Sequence, residues 1–184
     1  LRKKHPLVQF EIYRGNAGNI RERIERGLLD MGLMSEPIDI RKYAFSTMPI
    51  KELWGALVRE DSPLAGNEFL RPQDLVDIPL ISAEGEFLES NVAKWLGEYA
   101  TKVHIIAKGN LLYNEAMLAQ SNIGAVICIR LSCRYDGLQF IPFSPALTND
   151  TALAWKKEQI FSAATKAFLD FAEKYLKNIS DNKL

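Results

Sequence analysis

The chain has 184 residues, 47% apolar and 25% charged, the make-up of an ordinary globular protein with room for one large domain or two modest lobes. Its 23 basic and 23 acidic side chains cancel, so it offers no basic excess to nucleic-acid phosphates, and no run of eighteen apolar residues is available to span a bilayer. The opening LRKKHPLVQF is basic but lacks an apolar signal core, so secretion is not expected.

Residues 1–5 read as the charged end of a helix, stopped by Pro6. Val8, Phe10 and Ile12 then alternate with Gln9, Glu11 and Tyr13, the period-2 pattern of a strand. Gly15-Asn16-Ala17-Gly18 breaks the alternation, and Asn16 can cap a following helix. Ile20, Ile24 and Leu28 share one face of that helix, expected over residues 19–28. Met31-Gly32-Leu33-Met34 is a short apolar run of the kind buried in a parallel sheet. A strand–helix–strand unit of this kind carries its polar turn at the carboxyl end of the sheet, where ligands bind in open α/β folds.

A loop over 36–39 leads to an extended piece at 40–48. Residues 49–59, PIKELWGALVR, are apolar on both faces, as in a strand buried on both sides or crossing between lobes. A short helix is expected around Gln73-Asp74-Leu75, a strand at 79–82 and a turn at 83–86. Leu88, Val92, Trp95, Leu96 and Tyr99 then mark an amphipathic helix. A strand at 103–107, a Lys108-Gly109-Asn110 turn and a helix marked by Leu112, Ala116 and Ala119 lead to a buried strand at 125–129. Strands follow at 138–143 and 151–155. From Gln159 onward Ile160, Ala164, Ala167, Phe168, Phe171 and Tyr175 form a helical stripe, with a polar tail from Lys177. The order gives two α/β groups joined by two crossings, near 49–58 and 145–153. Two crossing strands make a hinge suited to closing on a small ligand.

No catalytic constellation is present. There is no Gly-x-Ser-x-Gly, no P-loop and no dinucleotide fingerprint, and Gly15-Asn16-Ala17-Gly18 has neither the spacing nor the lysine. His104 lies inside an apolar strand and reads as a satisfied or edge histidine rather than a base. Asp74 and Asp77 read as solvated or capping. Two cysteines and two distant histidines cannot build a zinc site, and Cys128 and Cys133 read as reduced thiols without Cys-x-x-Cys spacing. No metal or cofactor is expected. What remains is a set of polar turns at strand ends, three of them leading into helices whose free N–H groups favour an anionic or carbonyl-bearing ligand.

With that layout, the chain resembles the effector-binding domain of LysR-type transcriptional regulators. The resemblance runs from His5 to about Tyr175. It is carried by HPLVQFEIYRGNAGNIRERIERGLLDMGLM, LWGALVREDSPLAGNEFLRPQDLVDIPLI, GNLLYNEAMLAQSNIGAVICI and AATKAFLDFAEKY, and by the ordered motifs His5-Pro6, Asp30-Met31-Gly32-Leu33 and Ser62-Pro63-Leu64-Ala65. It implies a two-lobed α/β fold like the type 2 periplasmic binding proteins. Lobe I would span residues 1–54 and 149–184 and lobe II residues 55–148, with two crossing strands as hinge and the family's first strand missing. It also implies a small-molecule effector held by Gly15, Asn16, Ala17, Ser35, Met48, Pro49, Ser82, Ala83, Gly85, Gly109, Asn110 and Ile129 in the cleft between lobes. The protein would be cytoplasmic, a homodimer or tetramer pairing through the helices at 19–28 and 88–99, and would not associate with membranes. It would reach DNA only through a winged helix-turn-helix outside this sequence. A solute-binding protein of a transport system shares the fold and is the alternative; an enzyme on the same fold would need a constellation the sequence lacks.

Overall fold

The computed structural model describes residues 1–15, 17–35, 39, 41–83 and 90–181. The chain divides into two compact units, one of residues 1–51 with 150–184 and the other of residues 52–149.

The first unit holds helix α1 (Ala17–Glu25), strands β1 (Met31–Ser35), β2 (Tyr43–Thr47) and β9 (Thr151–Lys156), and helix α4 (Ala163–Asp181). Its sheet has the order β1-β9-β2, and both neighbours run antiparallel to β9. The expected parallel strand–helix–strand unit is therefore not formed. Residues 7–15 adopt no strand, and Leu7, Phe10 and Ile12 are exposed. Alternation alone does not make a strand, because the backbone groups need a neighbour to bond. Residues 2–4 form a turn and not a helix end.

Helix α1 begins at Ala17 and ends three residues before Leu28, which is exposed. Gly27 sits at φ +69°, and the N–H groups of Leu28 and Leu29 donate to the Arg23 carbonyl, a glycine stop of the usual kind. Ile20 and Ile24 pack with Met34, Tyr43 and Ala154 to form the core of this unit. Gly32 lets α1 approach β1: a Cβ there would run into the Cγ2 methyl of Ile20, whose β-branched side chain has little rotamer freedom in a helix. Gly32→Val should cost about 1–3 kcal/mol in a urea titration, whereas Leu33→Ala on the exposed face of the same strand should stay within about 0.5 kcal/mol. Equal losses at the two positions would refute the close approach.

Helix α4 buries Thr165, Leu169 and Leu176, while Phe171 and Tyr175 stack on each other at 6.1 Å and remain about half exposed. The buried stripe is thus rotated from the expected one. Ile160 precedes the helix and is exposed, and the helix runs past Lys177 to Asp181. Ser162 caps it, accepting from the Thr165 N–H at 3.1 Å.

The second unit is a mixed sheet in the order β5-β4-β6-β3-β7, built from β3 (Glu52–Arg59), β4 (Pro79–Ala83), β5 (His104–Gly109), β6 (Ala125–Ile129) and β7 (Leu138–Pro142); the short β8 (Thr148–Asn149) pairs with the start of β3. Strands β5, β4 and β6 run parallel, and β3 is antiparallel to both β6 and β7. Alternate residues feed two separate cores. Ala56, Val58, Leu80, Ala125 and Ile127 face the cluster containing Val92 and Leu96, while Leu57, Ile81, Val126 and Cys128 face the cluster containing Leu112, Ala116 and Ala119. That division explains why the central strands carry apolar residues on both faces.

Two helices cover the faces. Helix α2 (Asn91–Leu96) is capped by Ser90, whose hydroxyl accepts from the Ala93 N–H at 3.1 Å, and it stops at Gly97, φ +57°. The helical segment around Tyr99 is a 3-10 turn, Gly97–Thr101; Leu88 lies outside the described residues. Trp95 stacks on Phe143 at 4.2 Å and donates to the Pro145 carbonyl. Helix α3 (Leu112–Gln120) covers the other face. Asp74 caps a 3-10 turn, Pro72–Leu75, by accepting from the Arg71 N–H at 2.7 Å, and His104 is exposed on the edge strand.

Candidate functional site

In the second unit, parallel β5, β4 and β6 place their carboxyl ends, at Gly109, Ala83 and Ile129, on the same end of the sheet. This is the end at which open α/β sheets bind ligands. Ser82 is buried on β4, opposite Lys108 of β5. Gly109 is not in a turn, as the sequence suggested, but is the last residue of β5, in register with Ala83; Asn110 follows it, exposed. Ile129 closes β6 opposite Trp54. Five of the expected ligand residues are thus brought to one sheet end. Gly85 lies outside the described residues.

Two further groups at this end were not anticipated. Cys128, next to Ile129, is buried, and its thiol is pushed up to about 12 by that burial and then by the nearby charge of Glu115. It is a protonated thiol at neutral pH, not a nucleophile. Cys133 is exposed, and both cysteines are free. Glu115 itself is 5% exposed. A carboxyl inside an otherwise apolar helical stripe is the signal that could have found it.

In the first unit, Ser35 ends β1 opposite Thr151, and the Met48 N–H donates to the Thr151 carbonyl at 2.7 Å. Ser35 and Met48 therefore meet Thr151, and Pro49 follows Met48 in the chain. The Thr151 hydroxyl is buried and has no hydrogen-bond partner among the described residues, the kind of polar atom that calls for an explanation. Ala17 is the exposed first residue of α1; Asn16 lies outside the described residues.

Gly15 lines a different feature, a groove of about 720 Å³ walled by residues 8–14, 28–33, Leu153, Ala164, Thr165 and Phe168. Among the described residues, no other expected ligand residue lines it. A smaller polar recess of about 430 Å³ in the second unit is formed by Arg59, Glu60, Asp61, Gln120, Asp136 and Gly137. Its groups satisfy one another: Arg59 forks onto Asp61 and donates to the Gln120 carbonyl, and Gln120 donates to the Asp136 carbonyl. Among the described residues no group of His, Cys, Asp or Glu could hold a metal ion, and no helix is long and apolar enough to cross a membrane.

Each of the two α/β units thus gathers polar groups at the ends of its strands. The sequence profile of the LysR substrate binding domain matches residues 1–177, and the chain belongs to that family. It is 23% identical over 180 residues to the uncharacterized HTH-type transcriptional regulator YwbI of Bacillus subtilis (strain 168), covering 95% of this chain and 60% of the relative. It is 19% identical over 176 residues to the uncharacterized HTH-type transcriptional regulator YvbU of the same organism, covering 94% and 59%. The chain thus spans about 60% of the length of these relatives.

Among solved structures, the effector binding domain of QuiR in complex with shikimate is similar in fold, with a TM-score of 0.81, 22% identity, and coverage of 96% of this chain and 85% of that one. The regulatory domain of Synechocystis PCC6803 CcmR in complex with 2-PG follows at a TM-score of 0.80, 18% identity, and coverage of 96% and 88%. The family is one of regulator domains and not an enzyme family.

Proposed function

We propose that this chain is the sensing domain of an HTH-type transcriptional regulator and that a small-molecule effector binds at its strand ends. Membership of the LysR substrate binding domain family over residues 1–177 is the observation that supports this most strongly. Two structures of similar fold, described as complexes with shikimate and with 2-PG, agree with it. The effector contacts proposed are Gly15, Asn16, Ala17, Ser35, Met48 and Pro49 from the first unit and Ser82, Ala83, Gly85, Gly109, Asn110 and Ile129 from the second. In this reading the protein works in the cytoplasm as a homo-oligomer, and effector binding changes how it engages DNA.

The test is a thermal-shift screen of metabolites against the chain. A ligand present at about 100 times its Kd adds roughly 2.7 kcal/mol of stability, a readily measured shift. Ser82→Ala should then weaken binding by about 5- to 150-fold, the effect of losing a buried hydrogen bond worth about 1–3 kcal/mol. If no metabolite gives a saturable shift, or if Ser82→Ala leaves the affinity of every hit unchanged, the reading or its site assignment fails.

A further inference from the structure

We draw no further inference here: the strongest candidate, the apolar groove in the first unit between residues 8–14 and the edge strand β1, carries nothing because nothing in the structure shows what covers it.

Discussion

Replacing Leu80 with alanine is expected to lower the unfolding free energy by about 2–5 kcal/mol, the range for truncating a buried leucine in a core that cannot collapse around the gap. Leu80 has no exposed surface and lies on the central parallel strand β4, with Ile105 of β5 on one side and Ala125 of β6 on the other. Its side chain meets Leu75, Val92 and Leu96 in the larger cluster of the second unit. Three elements, the sheet, α2 and the 3-10 turn at Pro72–Leu75, converge there, so none of them can move in without losing its own contacts. Ile106→Ala supplies the control. Its side chain is 50% exposed on edge strand β5, and its truncation should stay within about 1 kcal/mol. The measurement is a urea titration followed by tryptophan emission, because Trp54 and Trp95 both pack against that cluster. A loss below about 1 kcal/mol at Leu80, or losses of equal size at Leu80 and Ile106, would mean that this cluster is not what holds the second unit together.

The second unit was the more legible of the two in the sequence, and the reason is physical. Its central strands β3, β4 and β6 are short apolar runs, and each is paired on both sides, so pattern and packing make the same demand. β4, β6 and α3 accordingly form close to where the pattern puts them. In the first unit, local pattern and tertiary context part company. The alternation of Val8, Phe10 and Ile12 is as clean as any in the chain, yet a strand exists only when its N–H and C=O groups pair with a neighbouring strand, and none pairs with residues 7–15 among the described residues. The buried face of α4 differs from the apolar stripe in its sequence for a related reason. Its apolar residues cover a wide arc, and which side is buried is decided by what lies beneath Thr165, Leu169 and Leu176, not by the helix itself. For the candidate site, glycine and serine at strand ends could be read from turn chemistry. Glu115 left a fainter signal, a carboxyl inside an apolar helical stripe, and Thr151 left none, because burial, which the sequence does not display, is what makes it notable.

Tyr43→Phe should remove most of the alkaline sensitivity of the first unit. The Tyr43 hydroxyl donates to Glu25 Oε1 at 2.7 Å, tying the last turn of α1 to β2, while Lys156 of β9 reaches Glu25 Oε2 at 3.2 Å. Tyr43 and Lys156 are cross-strand partners in the β2–β9 ladder, so one carboxylate at a helix end fastens two strands. Burial raises the Tyr43 hydroxyl first, and its hydrogen bond to Glu25 raises it further, from 10 to about 12. A folded-state pKa above the unfolded one means that the stabilisation is fully present below pH 10 and is lost as the pH climbs through 12. A shift of this size corresponds to about 2–3 kcal/mol across that window. Glu25 works in the opposite sense. Tyr43 first, and Lys156 second, hold its carboxyl below the ordinary value, so its contribution is present above the usual carboxylate range and fades as the solution is acidified. Phenylalanine keeps the buried ring but abolishes the proton and the hydrogen bond. At neutral pH the variant should lose about 1 kcal/mol, the modest net worth of a hydrogen bond whose acceptor is still partly solvated. Between pH 10 and 12 its stability should be nearly flat where the parent's falls. Urea midpoints measured at pH 7, 10, 11 and 12 decide the matter, with Trp155 on β9 reporting on the first unit. An alkaline slope that persists undiminished in Tyr43→Phe would place the titrating group elsewhere and dismiss the helix-to-strand tie as the source.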